Sequence, residues 1–84
     1  MFHKIAEVTT LPDLKLVALF TCGEKRIYDV GKLCDKWSAF VALQTVPGLF
    51  STVKVDAGGY GISWNDDVDL ASEEIWQHGE NPDC

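Results

Sequence analysis

Residues 64–76, WNDDVDLASEEIW, bring five carboxylates and two indoles into thirteen positions without one basic residue. Carboxylates this close can hold a cation or share a proton. A calcium loop of the EF-hand kind needs oxygen ligands at its positions 1, 3, 5 and 12 and glycine at 6. Counted from Asn65, position 6 falls on Leu70 and position 12 on Trp76, so the pattern fails. Zinc would have to draw on His3, Cys22, Cys34, His78 and Cys84, among which there is no C-x-x-C and no histidine pair at ligand spacing. Cys34, beside Leu33 in a helical stretch, reads as a small apolar residue rather than a nucleophile. The glycines of AGGYG at 57–61 precede a strand and no lysine follows them, unlike a phosphate loop. We expect no metal, no cofactor and no enzymatic activity.

Much of the acidic run has a structural use. Asp69 or Ser72 can cap a last helix, and Glu73 and Glu74 in its first turn meet the positive end of the helix dipole, each worth about 0.3–1 kcal/mol. Asp66 and Asp67 read as a solvated turn. The charge distribution is the sharper signal. Residues 1–54 hold all seven Lys and Arg against five acids, net +2, whereas residues 55–84 hold eight acids and no base, net −8. A single-sign segment repels itself and speeds encounter with a cationic protein. Asp66, Asp67, Glu73 and Glu74, all expected to be exposed, are therefore candidate partner-binding residues, together with Trp76, expected to be half covered near the end of a short helix. Trp37 and Trp64 are assigned to the core by periodicity. With only Lys25-Arg26 and Lys32/Lys36 as short basic clusters, direct nucleic-acid binding is not expected.

The elements that must position these residues follow from apolar spacing. Strands are expected over residues 2–8, 14–20 and 25–30, with turns at Pro12-Asp13 and Cys22-Gly23. Apolar residues on both faces of 14–20 predict a strand covered on both sides. Leu33, Trp37, Phe40 and Leu43 predict one helix that Pro47-Gly48 ends. Residues 49–56 and 60–64 alternate as strands, with Tyr60, Ile62 and Trp64 sharing a face, and residues 72–78 form a short helix. The expected class is α+β in the order β-β-β-α-β-β-α, a small, largely antiparallel sheet packed by a helix. A single domain is expected over residues 1–79, with 80–84 a flexible tail. YDVGKL and WNDDVDL both place Asp and then an apolar residue at a strand end, a recurring strand-to-helix exit.

Eighty-four residues, 46% hydrophobic and 24% charged, make one small globular domain, alone or as a small oligomer. Such a chain buries roughly 60–65% of its unfolded surface, too little to enclose a large active site. No apolar run reaches membrane-span length and MFHKIAEVTT lacks a signal-peptide core, so no membrane association is expected. Three widely spaced cysteines suit a reducing compartment, and we expect a cytoplasmic location.

IYDVGKL, WSAFVALQTVPGLFSTVKVD and ISWNDDVDLASEEIW together resemble the small bacterial domain-of-unknown-function family 2442 over about residues 14–76. The Trp64…Asp69-Leu70…Ile75-Trp76 ending is the most specific part. Gly31 and Ala71 stand where relatives commonly place a capping Ser or Asp, and Asn65 where they commonly have Pro. The family has no established activity. Members are often encoded beside a second small family of unknown function, numbered 4160, in an arrangement like a toxin-antitoxin pair; others precede a helix-turn-helix domain, and this chain resembles the stand-alone form. Taken with the charge asymmetry, this arrangement leads us to expect an interaction or regulatory domain that binds a basic protein partner, a candidate being a family 4160 member. The alternative is a ligand-sensing or accessory domain with a small pocket between sheet and helix.

Overall fold

The computed structural model describes residues 3–65 and 68–80. Three strands, β1 (Ile5–Leu11), β2 (Lys15–Phe20) and β3 (Lys25–Asp29), form an antiparallel meander in that order. Two helices follow, α1 (Gly31–Cys34) and α2 (Ser38–Thr45). A second meander joins β4 (Lys54–Val55), β5 (Gly61–Asn65) and β6 (Val68–Ala71), and α3 (Ser72–His78) closes the order. The class is α+β, as expected, but the strands divide into two three-stranded sheets, and β6 is a strand where the sequence suggested only a turn. Segment 49–56 gives just two strand residues, because a 3₁₀ turn occupies Phe50–Thr52.

The two sheets share one core. From the first come Leu16, Ala18, Phe20 and Tyr28; from the second Ile62, Trp64, Val68 and Leu70; from the helices Phe40, Leu43 and Ile75. Trp64, 6% exposed, lies edge-on to Phe40 at 6.2 Å and stacks on Phe50 at 6.1 Å. Its indole N–H donates to the Phe50 carbonyl at 2.9 Å, so the buried polar atom is satisfied. The sheets meet where β1 adjoins β4. There Gly59, at φ +80°, approaches so closely that a Cβ would sit 2.7 Å from the Ile5 carbonyl oxygen. After α3 the backbone returns to the first sheet. Glu80, assigned to the tail by sequence, exchanges two 2.7 Å backbone hydrogen bonds with Ile27 on the β3 edge.

Trp37 departs from expectation. The spacing of 33, 37, 40 and 43 suggested one helix, but the backbone at Trp37 is extended (φ −127°, ψ 115°), ending the path of α1 before α2 begins. Leu33 and Phe40 still reach the core from separate helices, whereas Trp37 is 60% exposed. Tyr60 also leaves its expected face: its helical φ/ψ precedes β5, so in-out alternation starts one residue later. Nor is the last helix capped as expected. Its N-cap is Ala71, with no side-chain hydrogen bond, because β6 carries Asp69 within a strand; Glu73 and Glu74 do occupy the first turn. β2 buries one face, while Val17 and Leu19 on the other are half-buried and take no part in the core.

These placements separate two tryptophans that the sequence treats alike. Trp64→Ala should cost about 3–5 kcal/mol and shift the urea midpoint accordingly. Trp37→Ala should stay within about 0.5 kcal/mol of the parent. A midpoint for Trp64→Ala equal to that of Trp37→Ala would contradict the core assignment.

Candidate functional site

Of the five residues proposed from sequence to meet a partner, three lie on α3 and two, Asp66 and Asp67, fall outside the described residues. Helical spacing sends Glu73 and Trp76 to one side and Glu74 to another. Glu73 accepts hydrogen bonds from the His3 backbone N–H at 2.7 Å and from the His3 ring at 3.0 Å. That backbone N–H, then the ring, hold its carboxyl below the ordinary glutamate range against the opposing effect of burial. The His3 ring stacks on Trp76 at 3.7 Å and 9°, the Arg26 guanidinium lies 4.1 Å over the same indole, and Phe20 meets it edge-on at 5.0 Å. Trp76 is half-buried, as expected, but its surface is committed to its own chain.

Glu74 accepts from the Tyr28 hydroxyl at 2.8 Å and pairs with the His78 ring at 3.1 Å. Burial, and then the neighbouring Glu74 carboxylate, push the Tyr28 phenol well above its usual value, so it remains a donor. Glu73 and Glu74 are therefore half-buried rather than exposed as expected. The acidic third of the chain carries no Lys or Arg of its own, yet His3 reaches it from ahead of β1, and Arg26 and Tyr28 reach it from β3. Sequence-local charge counting could not see those donors.

A groove of about 860 Å³ opens on the surface of the domain. It runs between the two strand-to-helix exits noted in the sequence. Tyr28, Asp29, Lys32 and Leu33 come from the first exit, Asp69, Leu70 and Ala71 from the second. Glu74, His78 and Glu80 extend the second wall, and Lys36 and the exposed Trp37 extend the first. The second wall thus carries three carboxylates beside His78, and the first carries two amines and an indole beside the Asp29 carboxylate. Of the sequence-proposed residues that are described, the groove includes Glu74. Trp37, Asp29, Asp69 and Glu80 were missed, although the repeated Asp-apolar exit was a legible sign of this place.

The remaining chemical candidates are separated. Cys34 is buried and donates its Sγ–H to the Phe40 carbonyl at 3.3 Å; burial, then Asp35, push its thiol up, which disfavours the nucleophilic thiolate. Cys22 lies exposed at the β2–β3 turn, and Cys84 is outside the described residues. Among the described residues no three His, Cys, Asp or Glu side chains gather as metal ligands. No helix among them is long and apolar enough to cross a membrane.

The Glu73 contacts have a pH signature. Because its folded pKa is depressed, its contribution is present above the unfolded pKa and lost as pH falls through the folded one. Glu73→Gln should lower the melting temperature near pH 7, with the gap to the parent closing as pH drops through and below the carboxylate range. A gap that stays constant with pH would remove the electrostatic role.

Neither a curated protein nor a solved structure matches the chain. The sequence profile described as "Protein of unknown function (DUF2442)" matches residues 5–81, nearly the whole length and both walls of the groove. With that match spanning both meanders and all three helices, the chain belongs to the DUF2442 family of proteins of unknown function.

Proposed function

We propose that this domain is a non-enzymatic interaction module that binds a basic protein partner, with a segment of the partner seated in the groove between the two strand-to-helix exits. The observation that carries the reading is the pairing of the exposed Trp37 indole with Asp29, Asp69, Glu74 and Glu80 in one groove. An aromatic face beside carboxylates suits the stem and head of Arg or Lys. Lys15, Lys32 and Lys36 in the same groove favour a segment of mixed sign, basic along the β6–α3 wall and acidic opposite α1. The net charge of −6, concentrated in residues 55–84, steers a cationic protein toward the domain. Asp66 and Asp67 belong to the same acidic run. Pairing with a small basic protein encoded alongside, as an antitoxin-like member of a two-gene pair, is the form of the proposal to examine first.

A ligand-sensing role is the second reading, favoured by a concave groove in which apolar Leu33, Phe40 and Leu70 lie beside convergent polar groups. A metabolite that raises the melting temperature in proportion to the logarithm of its concentration would favour it.

Affinity purification from the native host should recover a basic protein. Its association with the purified domain should slow strongly between about 50 and 300 mM salt, as the screening length falls from about 14 Å to about 6 Å. Asp69→Lys with Glu80→Lys should cut the association rate at least about tenfold, and Trp37→Ala should speed dissociation by a similar factor. An acidic partner, or unchanged rates in both variants, would overturn the reading.

A further inference from the structure

The outer face of the first sheet is apolar at its centre and has no covering element among the described residues. Register places Glu7, Leu19 and Lys25 in one row across the three strands, and Thr9, Val17 and Ile27 in the next. Leu11, Lys15 and Asp29 form a third row toward the β1–β2 turn. Val17, Leu19, Ile27 and Leu11 are half-buried, and none joins or packs against the core cluster, which lies on the opposite face. The sequence pattern of β2 is that of a strand covered on both sides, and the described residues cover it on one.

Two features specify the cover. The face is not flat: the short Thr9 leaves a depression of about 140 Å³ bounded by Glu7, Val17, Leu19 and Lys25. Its charges are also ordered, with Glu7 and Lys25 at opposite ends of the row that Leu19 centres. We propose that this face binds a second copy of the chain, face to face, about a two-fold axis running along β2. That axis exchanges β1 and β3. Glu7 then faces Lys25 of the second copy and the reverse, Leu19 and Val17 meet their own counterparts, and Ile27 of each copy enters the Thr9 depression of the other.

An isologous contact must be self-complementary in this way. Lys15 is the unfavourable position, falling opposite its counterpart, but Asp29 is its register partner in each copy. Packed sheets rotate by about 30°, which keeps the central rows close and lets the corners diverge. The face is built from residues 7–29, within the segment 1–54 whose net charge is +2, so the acidic excess lies elsewhere in the sequence. Three short strands make a contact below standard interface size, so the expected dimer is weak.

The proposal is independent of any partner in the groove and is tested on the isolated full chain. Sedimentation velocity from about 10 µM to 1 mM should show a reversible monomer–dimer equilibrium. Glu7→Lys and Lys25→Glu should each weaken it at least about tenfold, and the combined double reversal should restore it to within about threefold of the parent. Both positions are exposed, so each variant should keep the parent denaturation midpoint. A monomer throughout the concentration range, a dimer insensitive to the single reversals, or a double variant no better than the singles would overturn the arrangement.

Discussion

Neither three-stranded meander can exist by itself, because three strands of two to seven residues bury too little surface on one face to offset their conformational entropy. The shared core is the constraint from which the other features follow. It forces β1 against β4, which only a glycine at position 59 permits, and it draws α3 under the first sheet, where Ile75 is fully buried. Trp64 fixes a third direction, because a single side chain spans β5, α2 and the Phe50 turn and is satisfied by a backbone carbonyl of that turn. The secondary elements are too short to be stable by propensity. Tertiary packing decides them.

The same convergence settles the electrostatics of α3. A helix with two glutamates in its first turn and no lysine after them gains from its dipole but would leave its carboxylates to water. Docking against β3 and the N-terminal strand brings a backbone N–H, an imidazole, a guanidinium and a phenol to that helix instead. These are mostly hydrogen-bonding and stacking partners rather than formal ion pairs. The acidic imbalance of the chain therefore survives folding and remains available as a long-range field.

What the sequence made legible was local and periodic. The α3 boundaries, the β1–β2 and β2–β3 turns, the burial of Trp64 and the α+β class rest on turn chemistry and alternation within a few residues. What it hid was long-range. Trp37 follows the spacing of the core positions, yet a single extended residue between α1 and α2 turns it outward. Likewise no local signal joins His3 to Glu73, seventy positions away, or Tyr28 to Glu74. In the candidate site, charge counting found Glu74 but not the opposite wall, because that wall comes from a different meander.

The groove itself follows from how the helices begin. Each sheet passes from its third strand into a helix with almost no intervening loop, through Asp29-Val30 and Asp69-Leu70, and in both cases the apolar residue is buried. A helix that starts so abruptly has an apolar N-cap, Val30 or Ala71, and neither cap makes a side-chain hydrogen bond. The aspartates that capping would have engaged remain one or two residues upstream, in the strands, where both line the groove. Asp29 is held near its own helix start because Gly31 leaves room, its carboxyl lying 3.1 Å from where a Cβ would be. Two uncapped exits facing each other thus leave polar groups that local structure does not consume. The helix starts give up part of their local stabilisation, and the groove between them gains the carboxylates that a cationic segment requires.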